Sequence, residues 1–238
     1  MIDTGQELFG ECDILSATKA IPSKQRIVPM WMQAYLRFGK WEEMINYPFP
    51  ENTGIALYEA MWYYGQAFAS ASSDDCARAR EMSTEFASYL NDEELTSYLK
   101  SNGVYPTIAL ADLTLKARMA DKCDGDLETA AAKWGDAITY NDNLPYKEPP
   151  YWPQSLRVCL GEVLLRSEDR SDWALAIGAF YDDLHFHPSN GWALFGLKEA
   201  YTQLGDKWDA DTWGNAFESA WQCKSNPHQQ HHHPHPEP

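Results

Sequence analysis

Apolar residues recur at three- and four-residue intervals through most of this 238-residue chain, and short polar turns break them into segments. The pattern predicts helices over residues 27–38, 41–47, 55–71, 76–90, 94–100, 106–122, 127–141, 154–165, 173–187, 192–204 and 208–222. Pro48 and Pro50 stop the second of these, since proline offers no N–H to a helix interior. Asp74-Asp75 and Asn91-Asp92 stand where side-chain oxygens cap the helices that follow. Residues 1–24 are mixed and weakly periodic, with Pro22-Ser23 beginning the first clear helix. Residues 143–153 carry Pro145, Pro149, Pro150 and Pro153 and read as a loop inserted between two helical regions.

The helical segments share a finer pattern. Ala34-Tyr35, Ala67-Phe68 and Ala200-Tyr201 each place a small residue beside an aromatic one, ten positions before Met44, Ala77 and Ala210. Ala130 and Ala176 occupy the same position in two further segments. The five anchors are spaced 33, 53, 46 and 34 residues apart, a beat near 34 with two insertions. A repeat of that period, with small residues where helices cross, is the signature of stacked helix-turn-helix units. The expected fold is all-α, a right-handed α-solenoid of about five helix pairs over residues 25–226. A 1–24 segment precedes it and a His/Pro-rich tail over 227–238 follows.

The pattern resembles the tetratricopeptide repeat. More narrowly, Arg37-Phe38-Gly39-Lys40-Trp41, Trp62-Tyr63-Tyr64, Glu148-Pro149-Pro150-Tyr151-Trp152 and Asn190-Gly191-Trp192-Ala193-Leu194-Phe195 resemble the C-terminal half of a family of divergent bacterial tetratricopeptide proteins. That resemblance implies an α-solenoid of unassigned biochemical function, and in such repeats the first helix of each pair lines a concave groove. Its groove-facing offsets fall on Glu59, Trp62 and Gln66, on Asp112, Leu115 and Met119, on Val158 and Glu162, and on Trp192, Phe195 and Glu199. Aromatic rings supply contact area and carboxylates select charge, so such a groove suits a basic or amphipathic protein or peptide segment. The plainer alternative packs these rings between neighbouring helices. The inserted loop leaves the same two readings open. In one, Glu148, Tyr151 and Trp152 clamp a ligand; in the other, they form a strap with its aromatics turned inward.

Charge narrows the partners. Nineteen Lys and Arg against 35 Asp and Glu give −16, which repels phosphate backbones and sets nucleic acid aside. No apolar run reaches the length of a membrane span, and the first residues show no basic or apolar leader, so the expectation is a cytoplasmic protein. Five scattered cysteines without paired spacing read as reduced thiols rather than a disulfide framework or a zinc site. No cofactor is expected. The tail residues His228, His231, His232, His233 and His235 are weak metal-ligand candidates, set against a plain solvated end.

His185 and His187, two positions apart, face different sides of a helix and suit its C-terminal dipole better than a metal. Phosphate loops, nucleophile elbows and metalloprotease motifs are missing, so catalysis is not expected. Asp182-Asp183 reads as part of a solvated face. Two further functions remain as alternatives: an enzyme gripping a small or sugar-like substrate with Trp62, Trp152 and Trp192, and a metal-handling accessory using the tail.

Overall fold

The structure, a computed structural model, describes residues 14–221 and contains no strand among them. The described residues are all-helical, with twelve α-helices packed in adjacent pairs that fall into two compact units. The first unit holds α1 (Ile14–Ala20), a 3₁₀ turn (Pro22–Ile27), α2 (Met30–Arg37), α3 (Trp41–Ile45), α4 (Ala56–Ser72), α5 (Cys76–Asn91), α6 (Glu93–Ser101), α7 (Tyr105–Lys122) and α8 (Leu127–Asp142). The second holds α9 (Leu156–Leu165), α10 (Arg170–Phe186), α11 (Gly191–Leu204) and α12 (Lys207–Ala220).

Helix α4 organises the first unit because its sequence is apolar or small on nearly every side. Leu57, Met61, Tyr64 and Phe68 are buried, and Ala60, Gly65, Ala67, Ala69 and Ala71 between them let α2, α3, α5 and α7 approach closely. The helix starts follow the caps. Asp75, Asp92 and Asp126 accept from the N–H groups of Arg78, Leu95 and Thr129 at 2.9–3.1 Å and open α5, α6 and α8.

Several boundaries differ from the sequence reading. Helix α1 lies inside the stretch read as weakly periodic, and the segment expected as one helix over 27–38 divides at Pro29 into a 3₁₀ turn and α2. Helix α10 begins at Arg170 rather than Trp173, because Asp169 caps it through the N–H of Ser171. Of the repeat anchors, Met44, Ala130 and Ala176 are fully buried and Ala210 is half-buried. Ala77 is a correction: it is exposed, and Ala79 one face round is the residue enclosed in the first unit.

Cys76 and Cys123 form a disulfide that joins the start of α5 to the end of α7, which corrects the expectation of reduced thiols at those two positions. Cys159 is half-buried and outside that bond, and Cys12 and Cys223 lie outside the described residues. Among the described residues no helix is long and apolar enough to cross a membrane.

In the second unit the ring of Phe180 on α10 is wholly buried between Gly161 of α9 and Gly196 of α11. Both glycines lack the methyl group that would strike the ring, and this lets three helices share one aromatic side chain. Three residues further along α10, Asp183 is buried too, which corrects its reading as part of a solvated face. Its carboxylate accepts from the Ser155 hydroxyl at the start of α9, from Asn190 Nδ2 at 2.6 Å before α11, and meets His187 Nδ1 at 2.8 Å. A buried carboxylate is tolerable only with such a set of partners. Asp182 beside it is exposed.

Candidate functional site

The most distinctive surface of the first unit grows from two short spacings. On α4, Glu59, Trp62 and Tyr63 stand three and four residues apart and share one face; on α5, Glu85 and Tyr89 stand four apart and share another. The helices pack antiparallel, so the early turns of α4 meet the last turns of α5. Tyr89 donates its hydroxyl to Glu59 Oε2 at 3.3 Å, and Thr53 reaches Glu59 Oε1 at 3.4 Å. Phe49 completes the group from the turn before α4.

The rings touch one another. Phe49 and Trp62 are perpendicular with centroids 5.1 Å apart, as are Trp62 and Tyr63 at 5.1 Å, while Tyr63 and Tyr89 are 5.9 Å apart. Trp62 is fixed by its indole N–H, which donates to the Tyr47 carbonyl at 3.0 Å. All four rings are half-buried, so each presents part of itself to solvent and part to the core.

Electrostatics mark the same surface as negative. The Tyr89 hydroxyl is pushed up to about 12, first by burial and then by the charge of Glu59. Tyr63 is raised by burial and by the charges of Glu85 and Glu59. A phenol whose ionisation is delayed by folding contributes stability that is complete below the unfolded value near 10 and is lost as pH rises toward 12. In an alkaline titration followed by phenolate absorbance, Tyr89→Phe is therefore expected to remove one tyrosine from the late-titrating group. An unchanged late phase would count against the Glu59–Tyr89 contact.

The other sequence-predicted residues are placed differently. Gln66 is a correction: it is fully buried, donates to the Met44 carbonyl at 2.6 Å and accepts from Arg78 Nη2 at 2.9 Å, so it ties helices together rather than lining a groove. Leu115 and Val158 are buried as well. Asp112 is half-buried and paired with Lys116 at 2.7 Å, and Met119 is half-buried on α7.

In the second unit Trp192 packs edge-on against Trp221 at 4.8 Å, and Phe195 lies against Phe217 at 5.4 Å beneath the Lys198 ammonium. Glu199 is paired with Lys198 at 3.2 Å, and the Glu162 carbonyl accepts from Arg166 Nε at 3.3 Å. That unit also has an open cleft of about 440 Å³ lined by Leu184, Leu194, Trp213 and Ala216, without a charged side chain.

The inserted loop is a strap. Trp152 is 4% exposed and packs edge-on against Tyr64 at 5.7 Å, and Tyr151 is buried, so neither offers a ring to a ligand as the clamp reading required. Arg26 donates to the carbonyls of Pro149 and of Glu148, the latter at 2.9 Å, and Arg37 donates to that of Pro153 at 3.1 Å. The Glu148 side chain itself is exposed and accepts from the Tyr146 hydroxyl at 2.6 Å. His228, His231, His232, His233 and His235 lie outside the described residues. Among the described residues no group of three or more metal-ligating side chains is gathered.

Phe49, Tyr63, Glu85 and Tyr89 were not among the predicted site residues. The groove offsets consider only the first helix of each pair, whereas half of this surface comes from the second helix and a turn. The signal was present as a carboxylate four residues before a tyrosine on two consecutive helices. Comparison of the chain with protein-family models, with curated proteins and with solved structures finds no match.

Proposed function

We propose that this protein is a binding scaffold whose α4–α5 surface receives a basic segment of a protein or peptide. The reading rests on one observation: four half-buried aromatic rings lie in a single contiguous group with Glu59 at its edge and Glu85 one turn away. Aromatic side chains with restricted rotamers give contact area at low entropic cost, and carboxylates at the rim reject acidic partners. The net charge of −16 extends the same preference over a longer range. We also propose that the helix pairs are degenerate tetratricopeptide-like repeats, a reading supported by burial of the repeat anchors Met44, Ala130 and Ala176 and by pairing of successive helices. The molecule is then a recognition module, and the rings serve contact rather than chemistry.

Binding of fluorescein-labelled basic, neutral and acidic peptides, followed by anisotropy at rising salt, tests this. The basic peptides alone are expected to bind, more weakly as salt screens the carboxylates. Trp62→Ala and Glu59→Gln are each expected to weaken binding by about tenfold or more, the scale of a single interface anchor. Binding that ignores both substitutions, or that prefers the acidic peptide, sinks the proposal.

A further inference from the structure

We infer that the Cys76–Cys123 bond is a reducible lock on the first turns of α5, and that opening it weakens the grip of the α4–α5 surface on its partner. The effect on binding rests on the basic-segment reading above; the opening of α5 does not.

Helix α5 is thinly anchored for its length. Of its 16 residues only Ala79 and Phe86 are buried, whereas α4 beside it buries 12 of 17. Phe86 packs against Tyr64 with ring centroids 6.0 Å apart and secures the later turns, where Tyr89 meets Glu59. The turns before Phe86 bury a single methyl group, that of Ala79. Their polar ties are few. Arg78 Nη2 donates to the Gln66 side-chain oxygen at 2.9 Å, and Arg80 pairs with Asp124 at 2.9 Å. Both members of the second pair are more than half exposed, and such pairs contribute little. The covalent bond from Cys76 to the end of α7 therefore carries most of the hold on these turns.

The bond is open to a reductant. Cys76 and Cys123 are half-buried, and exposed residues flank both: Asp74, Asp75 and Ala77 on one side, Asp124, Gly125 and Asp126 on the other. A dithiol reduces it by thiolate attack on one sulfur, which breaks the S–S bond and forms a mixed disulfide. The second thiol of the reductant then displaces the protein. Two electrons and two protons pass to the protein, which keeps two thiols, and the reductant leaves as a disulfide. Once its first turns fray, α5 loses the Asp75 cap and becomes shorter than the length at which a helix holds without packing. Glu85 and Tyr89 stand on what remains, so their half of the surface is set less firmly against Glu59 and Trp62.

Hydrogen exchange of the full chain, followed by mass spectrometry with and without dithiothreitol, tests the lock. Protection of the amides of residues 79–83 is expected to fall about tenfold or more on reduction, while α8 keeps its protection. The Cys76→Ser, Cys123→Ser double variant is expected to show the reduced pattern without dithiothreitol and no further change with it. In anisotropy, a fluorescein-labelled basic peptide is expected to bind the reduced chain at least about fivefold more weakly than the oxidised one, the lower end of coupling between two sites. Equal protection in the two redox states overturns the inference, and so does loss of protection through the whole first unit, which would mark a general staple. Local loss of protection with unchanged peptide affinity overturns the link between bond and surface. Failure of the peptide to bind even the oxidised chain overturns the basic-segment reading instead, and the exchange data alone then decide the lock.

Discussion

Replacing Phe180 by alanine is expected to lower the unfolding free energy by about 4 kcal/mol, the scale of a fully buried aromatic ring lost to a cavity. The more telling result concerns the two glycines that hold the ring. A methyl group at Gly161 or Gly196 would stand at 2.5 Å or closer to ring atoms, and the ring has no free end that can move aside. Gly196→Ala alone is therefore expected to destabilise by about 2 kcal/mol. In the Phe180→Ala background the same change is expected to reverse sign and stabilise by up to about 1 kcal/mol, because the obstruction has gone and alanine is the better helix former. Denaturant unfolding of the four proteins in this cycle measures it. Simple additivity of the two substitutions would show that ring and glycine do not meet. Gly65 is a control: an added methyl there meets the flexible Met44 Cε and Sδ at 2.8 and 3.0 Å, and Gly65→Ala is expected to cost less than Gly196→Ala.

The second large effect is expected from the Cys76–Cys123 bond. It joins residues 47 apart in sequence, and a cross-link of that span restricts the unfolded chain by about 4 kcal/mol in the loop-entropy account. Cys76→Ser with Cys123→Ser, or reduction by dithiothreitol, is expected to lower stability by up to that amount. Unfolding measured with and without reductant gives the value, and alkylation without reduction, followed by peptide mass spectrometry, should leave both cysteines unmodified. Alkylation of both in the freshly isolated protein would refute the bond. Disulfides persist in oxidising surroundings and rarely in reducing ones. The bond and the cytoplasmic expectation therefore point in opposite directions, and the alkylation pattern in the source cell decides between them.

The helices were legible because local chemistry decides them. Asp75, Asp92 and Asp126 cap through their own neighbours, and Pro48 and Pro50 stop a helix wherever they stand. What sequence could not show depends on partners far along the chain. Asp183 and Asp182 look alike as a pair, yet Ser155, 28 residues earlier, and Asn190 distinguish them by enclosing only one. Gln66 reads as a groove residue until Met44 and Arg78 close around its amide. Ala77 and Ala79 are equally small, and the face that α5 turns toward its neighbours determines which is buried. Of the candidate site, Glu59 and Trp62 were visible. Glu85 and Tyr89 required knowing that α5 returns antiparallel and carries them back beside α4.

The strap held by Arg26 bears on how this protein can vary. Arg26 grips main-chain carbonyls at Glu148 and Pro149, groups that every amino acid carries. The side chain of Glu148 is exposed and contributes nothing to that grip. Substitution at position 148 is therefore structurally permissive, while Arg26 itself is not. Lineages of this protein should show a variable residue opposite an unchanging one, and a reporter group attached at position 148 should leave the fold intact.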